Sequence, residues 1–315
     1  MTAPAQRFFR LTLVYFLCML PVIWLLRADP LGFLINTAKT PLAYVFLLVG
    51  LLPWLVGLLV LLLIFNRRRF NRDMLTASAY AFGGSLLFAF TFGALKPTMP
   101  LVFGFWADPL FARIDRILHF GVDPWWLAHK LAAYIPPDLP QVFYFSIWLM
   151  VAIIFPLFLV LVDRDPRRVA RFLLLYALIW IVLGNILALA GLSAGPVFYD
   201  RLLGGNRFSD LTDALVASGI ARTAVGFTQT NLWHYLVDLN QTKGSGISAF
   251  PSVHVGIAAL LALYGFERGA VWGMLGAGFC AIILFLSVYL GWHYALDGYF
   301  SILAVWLVWR RKWAL

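Results

Sequence analysis

Charged side chains are scarce in this sequence. They make up 12% of its 315 residues, whereas hydrophobic side chains make up 63%, and an average soluble domain carries about 25% charged residues. One aqueous core cannot bury this much apolar surface, so lipid must solvate a large part of it. The composition excludes an ordinary soluble domain and predicts an all-α polytopic membrane protein, because helices satisfy their own backbone hydrogen bonds in lipid.

Cysteine is scarce as well. The two cysteines, Cys18 and Cys280, both lie within apolar stretches, which argues against a disulfide framework or a cysteine-ligated metal. The sequence shows no cluster of metal-binding residue types. We therefore expect chemistry that uses neither a metal nor another cofactor.

Acidic residues are fewer than basic ones, 14 against 24, which gives a formal net charge of +10. On a soluble domain such an excess could indicate nucleic-acid binding through a basic face. Here the basic residues form short runs between apolar stretches, the pattern that orients membrane helices. The sequence thus indicates the lipid bilayer as partner, and no nucleic acid.

Eight apolar stretches are candidates for spanning helices, which need roughly 20 residues. They lie near residues 8–26, 42–65, 74–95, 140–162, 172–194, 252–266, 270–290 and 294–309. The first, between Arg10 and Arg27, lacks the small-residue cleavage pattern of a signal peptide and is expected to be retained. Most basic residues fall on one side of the eight-helix arrangement, and the positive-inside rule places that side and both termini in the cytoplasm, most simply of a bacterial inner membrane.

Three long loops are then predicted to face the outer, extracytoplasmic side. They comprise residues 27–41, 96–139 and 195–251. Four segments within them resemble short amphipathic helices that lie on the membrane surface. These segments are 109–120, 124–135, 207–219 and 224–241. All five histidines of the chain lie in or beside outer segments, so the candidate chemistry belongs to that face.

A first constellation of chemical groups is Ser248-Ala249-Phe250-Pro251-Ser252-Val253-His254. It opens an apolar helix, and Pro251 suits the first helical position, where a missing N–H costs nothing. The free N–H groups and the positive dipole end of such a helix favour phosphate. Ser252 would add a hydroxyl, and His254 a titratable group.

A second constellation is Tyr289-Leu290-Gly291-Trp292-His293-Tyr294-Ala295-Leu296-Asp297. Residues four apart share one face of a helix, so His293 and Asp297 can pair. A carboxylate beside an imidazole fixes its tautomer and orientation, as in triads that activate a nucleophile. The plainer interpretation is a structural His–Asp pair at a helix end.

The spacing predicts that both constellations lie at the same membrane face. Residues 255–292 would cover roughly 57 Å as a continuous helix, close to the roughly 60 Å that two passes through a hydrocarbon core require. A helical hairpin that turns near Glu267-Arg268-Gly269 therefore returns His293 to His254. Two histidines and an aspartate at one lipid-level site are suited to phosphoester chemistry with a histidine nucleophile.

The pattern Ser-x-x-Pro-Ser-x-His followed by a distant His-x-x-x-Asp resembles the second and third motifs of the type 2 phosphatidic acid phosphatase superfamily. The variant is most similar to the branch of inositol phosphorylceramide synthase, the aureobasidin resistance protein, and its bacterial relatives. The loop sequence from Asp108-Pro109 to Asp123-Pro124-Trp125 also resembles the corresponding sequence in bacterial members of that branch.

This resemblance implies a role for each site residue. His293 matches the nucleophile that becomes a phosphohistidine, and Asp297 matches the group that orients it. His254 matches the general acid that protonates the leaving group, and Ser252 helps to hold the phosphate. The resemblance also implies a division into N-terminal membrane helices with an outer loop, residues 1–171, and a helical catalytic core, residues 172–315.

Two phosphate-binding cations of the superfamily are missing from their usual places. Its first motif has no counterpart here, and Ser287 stands where the third motif usually carries arginine. Another outer-side cation is expected to replace them. Arg201 is the first candidate, because it follows the helix at which the first motif is expected, and Lys243 and Lys96 are the next.

Three functions agree with these patterns. The first is a phosphatase that passes a phosphoryl group from a lipid phosphate to water. The second is a transferase that passes a head-group phosphate from a phospholipid to a lipid alcohol, for example in sphingolipid synthesis. A non-enzymatic transporter or scaffold is a distant third, because the titratable groups gather at one face rather than at the midplane of several helices.

Overall fold

The computed structural model describes residues 2–48, 57, 71–132, 134–238 and 245–311, and within these ranges it contains helices and no strand. The helices are α1 (Thr2–Leu26), α2 (Pro30–Leu48), α3 (Arg72–Val102), α4 (Asp108–Leu118), α5 (Pro124–Leu131), α6 (Asp138–Val162), α7 (Pro166–Ala190), α8 (Pro196–Leu203), α9 (Ser209–Ala217), α10 (Ala224–Val237), α11 (Val253–Arg268), α12 (Ala270–Tyr289) and α13 (Ala295–Arg310).

Five of these helices, α1, α3, α6, α7 and α12, are long and apolar enough to cross a membrane. The prediction of an all-α membrane protein is therefore confirmed. Helices α11 and α13 have 16 residues each and would reach about 24 Å, less than a full hydrocarbon core. The number of eight spans stays a prediction.

The start of the second helix was predicted wrongly. Residues 27–41 were expected to form an outer loop, but α2 begins at Pro30. The Asp29 carboxylate accepts a hydrogen bond from the Gly32 N–H at 2.9 Å, and proline follows Asp29 at the first helical position. This is an ordinary helix start that the hydrophobicity pattern alone does not show. Most of the expected helix 42–65 lies outside the described residues.

The four predicted amphipathic segments correspond to α4, α5, α9 and α10, and a further short helix, α8, precedes α9. Large apolar side chains are exposed on α4, α5 and the turn between them, among them Leu110, Ile117, Phe120 and Trp126. Exposed apolar groups on short helices suit the membrane–water interface. The location of these segments at the membrane surface stays a prediction.

The helix ends that carry basic residues lie together, at the end of the bundle away from the histidines. Arg171 at the start of α7 pairs with Glu267 at the end of α11, and Trp309 near the end of α13 donates to the same carboxylate at 2.7 Å. His254 lies at the opposite end of α11, about 20 Å along its axis from Glu267. The two ends of the bundle therefore differ in chemistry.

Helices α11 and α12 form the predicted hairpin, with Gly269 at the turn in a left-handed conformation (φ 140°). The two helices approach closely enough to exclude side chains at the contact. A Cβ added to Gly276 of α12 would lie 2.6 Å from the Cα of Ala262 in α11. Small residues of this kind let membrane helices pack backbone against backbone.

Gly276→Ala is expected to lower the thermal unfolding temperature in detergent. The new methyl group meets backbone rather than a movable side chain, and overpacking of this kind costs about 1–3 kcal/mol. Gly278→Ala is the matched control on the same helix, because a Cβ there meets no atom within 4 Å. Equal melting temperatures for the two variants would contradict the close contact.

Candidate active site

His293 lies in the loop between α12 and α13, and Asp297 lies in the first turn of α13. The imidazole Nδ1 is 3.3 Å from Asp297 Oδ2, and that oxygen also accepts the backbone N–H of Tyr294 at 3.1 Å. Both side chains are buried, at 6% and 0% exposure. The carboxylate can therefore hold Nδ1–H and leave Nε2 as the free nitrogen.

The other ring nitrogen faces the start of α11. Ser252 caps that helix by accepting the N–H of Val255, and its Oγ lies 3.4 Å from His293 Nε2. The backbone N–H of Ser252 also donates to the backbone carbonyl of Asp297 at 3.3 Å. The two sequence constellations thus meet, and Nε2 of His293 lies beside the N-terminus of α11.

His254 lies in the first turn of α11, with its ring centroid 6.3 Å from that of His293. Its imidazole stacks between Trp148 at 3.9 Å and Tyr144 at 4.4 Å. Both aromatic residues come from α6, which winds as a π-helix over Val142–Ile147. Sequence reasoning missed this pair. Their only signal was a spacing of four residues within an apolar stretch.

The three candidate cations occupy different places. Lys96, near the C-terminal end of α3, is half-buried and close enough for its charge to act on both imidazoles. Arg201 on α8 is exposed, with its guanidinium 5.7 Å from the ring centroid of Trp233. Lys243 lies outside the described residues. The structure therefore favours Lys96 over Arg201 as the cation beside the histidines.

Burial, and after it the charge of Lys96, lowers the pKa of His293 below its usual range. A lowered pKa keeps the imidazole neutral at physiological pH. A neutral ring with Nδ1–H held by a carboxylate has its lone pair on Nε2, which is the form that can attack phosphorus.

Several buried polar atoms around the two histidines have no hydrogen-bond partner within the described part of the protein. They are Tyr144 Oη, Ser248 Oγ, Trp292 Nε1 and Asp297 Oδ1. Buried polar groups usually find partners. The hydroxyl and indole donors add to the free N–H groups of α11, and together they suit a ligand rich in oxygen atoms.

Comparison with known proteins agrees with this arrangement. A sequence profile of the PAP2 superfamily matches residues 109–310, a range that includes both histidines and Asp297. No curated protein matches the chain, and no solved structure does. Because the profile covers well over half of the sequence, the chain belongs to the PAP2 superfamily, whose name stands for type 2 phosphatidic acid phosphatase.

Proposed function

We propose that this protein is a membrane enzyme that cleaves lipid phosphate esters through a phosphohistidine on His293. One observation carries the proposal. His293 lies between a carboxylate at Nδ1 and the serine-capped N-terminus of α11 at Nε2, with a second histidine ring 6.3 Å away. A nucleophile, a group that orients it and a second imidazole that can serve as the acid therefore lie close together.

The reaction then has two steps. In the first, Nε2 of His293 attacks phosphorus, the bond from phosphorus to the lipid oxygen breaks, and His254 gives that oxygen its proton. In the second, water attacks the phosphohistidine, the P–N bond breaks, and His254 takes a proton from the water. Asp297 stabilises the positive charge that the His293 ring carries in the intermediate.

Charge on the transferred phosphoryl oxygens needs fixed positive groups. The dipole of a helix N-terminus contributes only about 0.3–2 kcal/mol, which is modest for a dianion. Among the described residues, Lys96 is the cation whose charge reaches both histidines. We therefore assign it to the phosphate, together with Ser252 and the N–H groups of α11.

Lys96→Met is expected to lower kcat at least about tenfold, because it removes charge that stabilises the transition state. Arg201→Ala serves as the control and should stay near wild type, since that side chain is exposed over Trp233. Initial rates on a short-chain phosphatidate in detergent measure both. If Arg201→Ala lowers kcat tenfold and Lys96→Met leaves kcat unchanged, Arg201 rather than Lys96 binds the phosphate.

A head-group transferase is the second candidate, and the scarcity of cations favours it. A phosphodiester carries one negative charge, whereas a phosphate monoester carries nearly two at neutral pH. A site with one lysine, Lys96, and neutral hydrogen-bond donors suits the singly charged phosphodiester better. In this case His293 would take a head-group phosphate from a phospholipid, releasing diacylglycerol, and a lipid alcohol would then displace the histidine.

A lipid panel separates the two candidates. Purified protein is incubated with phosphatidate, and separately with phosphatidylinositol plus a ceramide. Released inorganic phosphate identifies the phosphatase, and a new phospholipid identifies the transferase, as in the inositol phosphorylceramide synthase branch. The proposed function is wrong if wild type forms neither product, or if His293→Ala forms either product as fast as wild type.

We also propose that the site faces the outer side of the membrane, with both termini in the cytoplasm. The support is the basic character of the opposite end of the bundle, combined with the positive-inside rule. Asn206 and Asn71 are both exposed. Asn206→Cys should react with an impermeant thiol reagent added to intact cells, and Asn71→Cys should not. The reverse labelling pattern would place the site in the cytoplasm.

A further inference from the structure

Helix α4 carries two buried carboxylates on one face, Asp108 and Asp115, which are 1% and 4% exposed. They lie seven residues apart, two helical turns, so both side chains point the same way. Burial raises the pKa of each carboxyl, and the hydrogen bonds that each accepts act in the opposite direction. Buried acids are rarely tolerated without partners, so the partners indicate their purpose.

Asp108 joins two chain segments on one side of the catalytic loop. Its carboxylate accepts the backbone N–H groups of Ala194 and Gly195, at 2.7 and 2.9 Å, and the hydroxyl of Tyr294 at 2.8 Å. Gly195 lies directly against the loop, because a Cβ there would be 2.3 Å from the carbonyl oxygen of Trp292. The residues on both sides of His293 are thus connected to Asp108.

Asp115 holds the start of α13, directly after the loop. Its two oxygens accept the backbone N–H groups of Ala295 and Leu296, at 3.1 and 2.9 Å. These are the first free N–H groups of α13, which a helix normally satisfies with a local cap. Here a carboxylate from a different helix accepts both N–H groups, in the same helical turn as Asp297. The turn that carries Asp297 is therefore fixed from the outer surface helix.

We propose that Asp108 and Asp115 are positioning residues that hold His293 and Asp297 in register with Ser252. This rests on the proposed function, because it takes His293 as the nucleophile. Hydrogen bonds to ionised carboxylates are about twice as strong as neutral ones. Such bonds hold residues 294–296, which follow His293, and residues 194–195, which pack against Trp292. Neither carboxylate needs to touch substrate, since each acts through the backbone around the histidine.

Asp115→Asn and Asp108→Asn test this directly. The amide keeps the shape of the side chain, but its NH₂ group must face a backbone N–H, which cannot accept. Each variant is expected to lower kcat at least about tenfold with KM changed less than about twofold, because misplacement of a reacting group by 1 Å can cost about 100-fold. The substrate is dioctanoyl phosphatidate in detergent. Asp210→Asn, on the exposed side of α9, should behave as wild type.

A second readout reports the position of His293 without any substrate. In wild type, ¹⁵N resonances of the ring, assigned with His293→Gln, should show Nδ1 protonated and Nε2 free. In the two asparagine variants this tautomer should give way to a mixture. If the two aspartates only stabilise the fold, the variants should melt at a lower temperature, but their folded fraction should keep the wild-type tautomer, kcat and KM. That result would overturn the proposal.

Tyr294→Phe covers the case in which the asparagine variants fail to fold. It removes one bond to Asp108 and leaves both carboxylates in place, and a severalfold loss of kcat with partial loss of the tautomer is expected. A folded Tyr294→Phe with wild-type kcat and tautomer would also count against the proposal. If wild type proves inactive on both lipids of the panel, or His293→Ala stays active, the proposed function fails while the ¹⁵N comparison still decides the positioning role.

Discussion

Replacing His293 by alanine is expected to abolish turnover, with a loss in kcat of at least about 10⁴-fold, as for other covalent nucleophiles. The side chain supplies the nitrogen that attacks phosphorus, and no neighbouring group within the described residues can replace it in the same position. Folding should survive, because Asp297 keeps the N–H of Tyr294 and the backbone keeps its bond from His293 N to Ser287 O, 3.1 Å. Product release from the best lipid of the panel gives the measurement.

His234→Ala is the matched control for this substitution. His234 lies near the end of α10 and is exposed. It should keep wild-type activity. An alanine variant at 293 that stays within a few-fold of wild type would refute the assignment of the nucleophile.

Replacing His254 is expected to slow the first chemical step by about 10²–10⁴-fold, the usual contribution of general acid catalysis. The loss should be greatest for an alkyl leaving group, as in a lipid phosphate, which needs a proton as it departs. It should be small for 4-nitrophenyl phosphate, whose leaving group departs as a stable anion. Single-turnover rates on the two substrates provide the comparison.

Two variants separate chemistry from packing at this position. The His254 ring fills the space between Tyr144 and Trp148, so His254→Ala removes packing as well as the proton. His254→Phe keeps an aromatic ring there and removes only the titratable group. If both variants lose the same factor on both substrates, His254 is a structural member of the aromatic stack and the acid role is wrong.

The C-terminal hairpin could be predicted from the sequence because its determinants are local and periodic. An apolar helix, a turn at Gly269 and a second apolar helix fix the membrane face of the loop that carries His293, so the length of 255–292 was enough to bring this residue back to His254. The motif spacing then indicated the His293–Asp297 pair. The reason given for the pair was wrong, however: His293 lies in the loop before α13, so the two side chains meet across the start of the helix and not on one helix face.

The cation and the aromatic stack could not be predicted in this way. Lys96 belongs to α3, and Tyr144 and Trp148 belong to α6, so their approach to α11 depends on which helices pack together. A single sequence does not give that information. Topology favoured Arg201, which follows the expected helix, but an exposed position over Trp233 depends on how α8 and α10 pack, again a tertiary contact.

The buried carboxylates of α4 illustrate a third case. The segment that contains Asp108 and Asp115 stood out in the sequence only for its resemblance to a family, and the predicted amphipathic helix 109–120 included Asp115 alone. Their partners are backbone N–H groups of residues 194–195 and 295–296, which carry no side-chain signature. A contact to the backbone leaves no trace in the sequence of the segment that donates it.

The central claim is that the phosphorus of the substrate becomes bonded to His293. The direct measurement is a reaction stopped within one turnover in alkali, where phosphohistidine is stable, followed by mass spectrometry of the peptide that contains residue 293. The account predicts a phosphoryl group on His293 with phosphatidate, or a head-group phosphate there with phosphatidylinositol, and neither in His293→Ala. A turning-over enzyme whose His293 stays unmodified, or whose phosphate is found on Ser252 instead, would contradict it.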